Sequence, residues 1–227
     1  YCFANTKSLR EITFSEDSEL LSIDENSFNG SYLRNISLPS KLHHLADGWC
    51  NSMKKLAFFS VSKNNKKFAS IDNKMIVAKS DSKSEDFDIL VIISSKIEEF
   101  TVPSNIKYIA PFCFTNCKKL KTVIFPDDSE LLSIGKNAFS NTKIETISLP
   151  KKLREMSDLF SDKVQNLNTV FLSPSNSNFA VIDNDLLVGK SDQNKEDFDV
   201  LLFANRNIKQ ATIPNSIEYI APHCFEG

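Results

Sequence analysis

The sequence predicts an α/β, strand-rich solenoid of about eight coils, with one parallel β-ribbon along it, short helices or 3₁₀ turns on its outer side and two inserted β-hairpins. Three observations carry that expectation. Residues 1–116 lie over residues 112–227 at a constant offset of 111 without a gap, and 49 of the 116 aligned pairs are identical. Within each copy a shorter pattern of three alternating apolar residues recurs four times. One interval per copy is lengthened and carries a different, denser apolar signature.

The short pattern appears as Leu9/Ile12/Phe14, Leu33/Ile36/Leu38, Leu56/Phe59/Val61 and Ile97/Phe100/Val102. In the second copy it is Leu120/Val123/Phe125, Ile144/Ile147/Leu149, Leu167/Val170/Leu172 and Ile208/Ala211/Ile213. Starts lie 24, 23, 41 and 23 residues apart, so three of the four intervals have the length of a leucine-rich repeat. Alternation within each match is that of a strand with one face buried, and stacked coils would pair these strands in parallel. Proline follows at Pro39, Pro103, Pro126, Pro150 and Pro214, and its missing N–H ends the ladder. Beyond it, residues 24–28 and 135–139 read as one-turn helices or 3₁₀ turns that drive Phe28 and Phe139 inward.

In the lengthened interval, Met75-Ile-Val77 and Ile89-Leu-Val-Ile-Ile93 flank a polar stretch, the signature of a hairpin. Leu186-Leu-Val188 and Val200-Leu-Leu-Phe203 repeat it. Its recurrence makes it part of the architecture. The expected organisation is one solenoid, residues 1–227, built of two super-repeats, 1–111 and 112–222. Tyr1-Cys2-Phe3 and His223-Cys224-Phe225 occupy equivalent points of a coil, so both ends are expected to cut through a longer array.

Hydrophobic residues at 41% and charged residues at 25% are values of a globular chain, which excludes a disordered or fibrous class. Basic and acidic residues nearly balance, 27 against 29, and no overall electrostatic footprint for nucleic acid or an anionic membrane follows from a net charge of −2. The longest apolar run, Ile89–Ile93, is far short of the ~20 residues that span a bilayer. Five glycines without clustering exclude phosphate-cradling loops. The pair His43-His44 has no nucleophile in a motif context and is expected on a surface turn. No catalytic residue, cofactor or metal site is therefore expected.

Two features bear on ligands without demanding one. Acidic residues cluster in the hairpin turns at Asp81, Glu85, Asp86 and Asp88, repeated at Asp192, Glu196, Asp197 and Asp199, but the spacing lacks the calcium-loop pattern and its sharp glycine turn. A solvated hairpin tip is the expectation. Cys2, Cys113 and Cys224 share one repeat position before a Phe, which points to packing, while Cys113 and Cys117 are the one pair close enough in sequence for a bridge.

Beyond these derivations, the run Ile106-Lys-Tyr-Ile109-Ala-Pro-Phe-Cys-Phe114-Thr-Asn-Cys117-Lys-Lys-Leu120-Lys-Thr-Val123-Ile-Phe125-Pro126 resembles the repeat unit of BspA-like leucine-rich-repeat proteins, and Phe68-Ala-Ser-Ile-Asp72-Asn resembles their strand-turn-strand element. The resemblance covers the whole chain. It departs at Cys2, Cys113, Cys224 and Ser27, where the family pattern has Ala before Phe. Such a resemblance implies a surface antigen or adhesin of mucosal bacteria or protozoan parasites, secreted or displayed on the cell, that binds host extracellular matrix or a cell-surface protein.

Candidate binding residues come from the outward strand positions. Only Ser37/Ser148 and Thr101/Thr212 agree among the twelve outward pairs of the two copies, whereas all twelve inward pairs are apolar. A polymer gripped identically by each copy is thereby disfavoured, and a protein partner is favoured. Phe58, Ile124 and Phe171 are apolar where solvent is expected, either open as anchors for a partner or covered by the hairpin or a neighbouring side chain, and Arg34, Asn35, Glu98, Glu99 and Lys121 complete the candidate surface. Sequons at Asn29 and Asn35 would place a glycan near it in a glycosylating cell. An intracellular scaffold offering the same ribbon to a cytosolic protein is the alternative, in keeping with five reduced thiols.

Overall fold

A computed structural model describes residues 1–160 and 162–226 of the chain. It is a β-solenoid of about nine turns, strand-rich and without a helix among the described residues. The short apolar pattern forms the expected parallel ribbon, in two segments. Glu11–Ile12, Asn35–Leu38 and Phe58–Val61 make the first, and Glu99–Thr101, Thr122–Ile124, Thr146–Leu149 and Thr169–Leu172 the second. Register puts like residues over one another: Ile12, Ile36 and Phe59 form one inward column, and Phe100, Val123, Ile147 and Val170 another. Ile36 and Ile147 are buried.

The eighth pattern match does not form a strand. Residues 211–213 lie outside the ribbon, and Ala211, expected inward, is exposed. A single methyl group there offers little apolar area to hold the segment against its neighbour. Ala57, which the alternation of the third match would put outward, is buried: it precedes the strand, which begins at Phe58, and its amide bonds Arg34 O at 2.9 Å.

Sequence reasoning missed a second ribbon. Two-residue strands at Ser22–Ile23, His44–Leu45, Tyr108–Ile109, Ser133–Ile134 and Glu155–Met156 stack in parallel on another side of the coils. Two residues per coil are too few for periodicity to register, although Ile23, Ile109 and Ile134 are all buried.

The outer turns are not helical either. Within residues 26–31 alternate amides divide their bonds. Those of Asn26, Phe28 and Gly30 donate to Gly48, Trp49 and Asn51 of the next coil, while those of Ser27, Asn29 and Ser31 donate three residues back. The same alternation holds at Phe112, Phe114 and Asn116. A helix would keep all those bonds within its own turn, and here every second one is claimed by a neighbour. Left-handed residues set four apart, Asn26 with Gly30 and Asn137 with Asn141, turn the chain so that this alternation is possible. Phe28 and Phe139 do point inward and stack on the preceding coil's Phe3 and Phe114, with centroids 5.3 and 4.9 Å apart.

Each hairpin is larger than expected and lies inside the molecule. Phe68–Ile71, Met75–Ala78 and Ile89–Ile93 form an antiparallel meander whose first turn, Asp72-Asn73, is left-handed at both residues, and Phe179–Ile182, Leu186–Gly189 and Val200–Ala204 repeat it. Side chains of the middle strands alternate between two separate cores. Ile76, Ala78 and Ile92 join the core of the first three coils, whereas Val77, Leu90 and Ile93 join the central one. In the second copy Leu187, Leu202 and Phe203 face the central core, and Leu186, Val188, Leu201 and Ala204 face the last. The meander is thus a septum buried on both faces, which is why its strands read as unbroken apolar runs.

Asn65 and its counterpart Asn176 hold the corner between the two ribbons. Asn65 Nδ2 donates to Pro39 O and Leu42 O of the previous coil at 2.7 and 2.9 Å, and its Oδ1 accepts from the amides of Lys67 and Phe68. Asn176 repeats those bonds with Pro150, Leu153, Asn178 and Phe179. Removing the Asn65 amide leaves Leu42 O and the amides of Lys67 and Phe68 without these partners, and removing the Asn176 amide does so for the amides of Asn178 and Phe179, while Pro39 O and Pro150 O keep bonds from Leu42 N and Leu153 N. N65A and N176A are each expected to lower stability by about 1–3 kcal/mol in urea unfolding.

Candidate functional site

Ribbon register decides which candidate residues share a neighbourhood. Ser148 lies directly opposite Phe171, and Ile124 occupies the same outward row one coil earlier, so Ile124 and Phe171 are two coils, roughly 10 Å, apart. Both are open to solvent, at 38% and 57% exposure. Beside Phe171 lies a shallow depression of about 270 Å³ lined by Phe125, Leu149 and Leu172, by Pro126, Pro150 and Pro174, and by the polar Asp127, Ser148, Lys151 and Ser173. Its apolar lining beside a protruding aromatic is of the kind that accommodates an apolar side chain, with Asp127 and Lys151 at hand for polar contacts.

Phe58 stands apart. It is 50% exposed and lies in the other outward row, opposite Asn35, on the far side of the first septum. Lys96 Nζ sits 5.1 Å from its ring centroid, a cation–π contact that leaves the ring partly open. Asn35 is half-buried, and Arg34 is exposed at the ribbon edge. Glu99 lies opposite Thr122; Glu98 is 3.5 Å from Lys119 Nζ, and Lys121 is exposed. The eight candidates therefore do not form one patch: Arg34, Asn35 and Phe58 lie on the first ribbon segment, and Glu98, Glu99, Lys121, Ile124 and Phe171 on the coils of the second.

Six of the eight acidic residues of the hairpin turns, Asp81, Glu85, Asp86, Asp192, Glu196 and Asp197, are exposed as a solvated tip requires, and two are not. Asp88 and Asp199 are buried, accepting bonds from the amides and hydroxyls of Ser80 and Ser191 respectively. Lys107 Nζ lies 3.5 Å from Asp88, and Lys195 contacts Asp199 and, at 3.0 Å, Glu218. Burial would raise the Asp199 carboxyl, but the bonds from Lys195 and Ser191 overcome it and hold the group at about 2. These carboxylates serve the hairpin's own backbone and lysines.

All five cysteines are free thiols. Cys113 and Cys117 are buried and unbridged, and Cys117 Sγ lies 3.8 Å from Ser94 O. Burial pushes Cys117 up to about 12 and Cys224 up to about 11, and burial together with the neighbouring Cys117 raises Cys50 and Cys113. His43 and His44 are exposed. A further acidic and imidazole group, Asp162, His223 and Glu226, lies at the surface and was not singled out by spacing, since its members come from different coils. No helix among the described residues is long and apolar enough to cross a membrane.

Stacked leucine-rich coils with an exposed ribbon define a repeat protein of the scaffold class, typically non-enzymatic and used for binding. Within that class, the chain belongs to the BspA type leucine rich repeat family, which matches six copies over residues 1–78, 93–188 and 190–227. Among solved structures it is similar to a leucine-rich repeat protein from Eubacterium ventriosum, with 22% identity, TM-score 0.65 and coverage of 75% of this chain and 43% of that one. The pneumococcal vaccine antigen PcpA follows at 19% identity and TM-score 0.60, covering 74% and 46%. A leucine rich cell surface protein from Faecalibacterium prausnitzii has 19% identity and TM-score 0.52, covering 75% and 55%. These likenesses show the fold. The chain spans about half the length of each. A comparison with curated proteins gives no match.

Two outcomes follow from the buried titratable groups. Alkylation at pH 8 should modify Cys2 quickly and Cys113, Cys117 and Cys224 only after unfolding, read by mass spectrometry of the labelled peptides. Because Asp199 titrates at about 2 when folded and at 3.8 otherwise, its contribution is complete above pH ~4 and disappears as pH falls toward ~2. Denaturant titrations over that range should show the stability gap between wild type and D199N closing as pH falls.

Proposed function

We propose that this chain is the partner-binding solenoid of a cell-surface or secreted protein, its two 111-residue super-repeats forming one array that adheres to host matrix or to other cells through a protein ligand. The observation that carries this reading is the pairing of exposed Ile124 and Phe171 with the proline-lined depression beside them. Exposed aromatics on a ribbon held by ladder hydrogen bonds lose little conformational freedom on binding, and such anchors dominate interface energies. Drift of the outward residues between copies, over inward positions that stay apolar, fits a surface adapted to one irregular partner. Membership of the BspA type family and likeness to a structure titled as a leucine rich cell surface protein support placement outside the cell.

The five free thiols favour a second reading, an intracellular scaffold in a reducing compartment. Antibody labelling of intact against permeabilised cells separates the two. For the binding surface, F58S and F171S are expected to weaken attachment of the purified chain to immobilised matrix proteins by about tenfold. Thermal unfolding should stay within about 0.5 kcal/mol of wild type, because both rings are largely solvent-exposed. A large loss of stability in either variant would mean that the ring belongs to the core and would overturn its role as an anchor.

A further inference from the structure

Along the edge where each outer turn enters the front ribbon, lysines recur at one position of the coil. Lys55, Lys96, Lys119 and Lys143 each immediately precede the first inward residue of a strand, Leu56, Ile97, Leu120 and Ile144. Backbone bonds from Ser95 N to Leu56 O, Lys121 N to Glu98 O and Lys143 N to Leu120 O make these four successive coils at this edge. The row thus places one cation per coil, at steps of roughly 5 Å where the strands pair, from Lys96 to Lys143, with the edge of the first septum between Lys55 and Lys96. Sequence reading obscured it, because the whole first septum separates Lys55 from Lys96 in the chain.

Two depressions run beside the row and meet at Lys118. The first, about 390 Å³, gathers Arg34, Lys54, Lys55, Lys96, Lys118 and Lys119 around Ser95 and Asn116. The second, about 300 Å³, adds Lys143 and Lys163 to a floor of Asn141, Thr142, Gln165 and Asn166. Eight of the chain's 27 basic residues thus line one groove, and no acidic residue lines either part of it. Nearby acids are few: Glu98 lies 3.5 Å from Lys119 Nζ and Asp162 3.7 Å from Lys163 Nζ. A chain with a net charge of −2 carries here a local excess of positive charge.

We propose that this groove binds a linear sulfated polysaccharide. Exposed cations recurring coil after coil fit the repeated charges of an extended polymer, whereas a single small anion calls for convergent buried donors. The floor between the cations is made of amides and hydroxyls, the groups that pair with sugar hydroxyls and sulfate oxygens. Neither depression is itself lined by an aromatic, although the rings of Tyr32 and Phe58 lie 4.4 and 5.1 Å from Lys55 and Lys96 Nζ, so single-stranded nucleic acid is the competing ligand that the oligothymidine comparator tests. This surface is separate from the apolar depression at Phe171 and stands whether or not a protein partner binds there.

The test uses the full chain and immobilised heparin fragments, with fully desulfated heparin and single-stranded oligothymidine of matched length as comparators. Heparin should bind at low salt and lose affinity steeply as sodium chloride rises from about 50 to about 300 mM. K55Q/K96Q/K119Q/K143Q should weaken binding by about tenfold or more, while K41Q/K63Q/K74Q/K136Q, the same charge change at exposed sites elsewhere, should stay within about twofold. In the wild-type chain, bound heparin should protect Lys55, Lys96, Lys119 and Lys143 from acetylation, a readout independent of how the variants fold. Absence of heparin binding at low salt, equal binding of desulfated heparin or oligothymidine, equal losses in the two variants, or protection spread evenly over all lysines would each overturn the proposal.

Discussion

Backbone hydrogen bonds between successive coils are the constraint on which everything else in this molecule depends. They run along the front ribbon, along the two-residue strands of the second ribbon and, through alternate amides, across the outer turns. A backbone so fully committed to its neighbours leaves no local structure free to be a helix, and it forces like positions of each coil into register. Stacked Phe28 on Phe3 and Phe139 on Phe114, and the repeated corner bonds of Asn65 and Asn176, are consequences of that register.

The same register explains the molecule's surface. Once position in the coil becomes position along a row, residues distant in sequence become neighbours at coil spacing, and ordinary residues acquire collective properties. Ile124 and Phe171 come within two coils of one another beside a proline-lined depression. Lysines scattered through a nearly neutral chain gather along one edge. An apolar face and a cationic edge thus share one stack, and BspA type membership is consistent with a binding scaffold.

The two septa set the limits of that regularity. Each meander crosses the interior and divides it, burying both faces of its middle strands and separating one core from the next. It also splits the front ribbon between Val61 and Glu99 and so sets Phe58 and Phe171 on separate segments. Asp88 and Asp199, which look like part of an acidic tip in sequence, are drawn inside to close the hairpin ends against serine amides and lysines.

By itself the sequence determined the solenoid, seven of the eight expected front-ribbon strands with most of their inward and outward faces, and the recurrence of the hairpins, because period and alternation are local and survive in one dimension. It misjudged what depends on neighbours: turns at residues 24–28 and 135–139 whose amides are taken by adjacent coils, the eighth strand held only by Ala211, and hairpins that proved to be partitions. Of the candidate surface, the openness of Phe58, Ile124 and Phe171 was a matter of what else packs over a strand, and the lysine groove was invisible because its members are up to 129 residues apart in the chain, from Arg34 to Lys163. Only stacking brings such residues together, since the hydrogen-bonded step from coil to coil, and not distance along the chain, sets who meets whom.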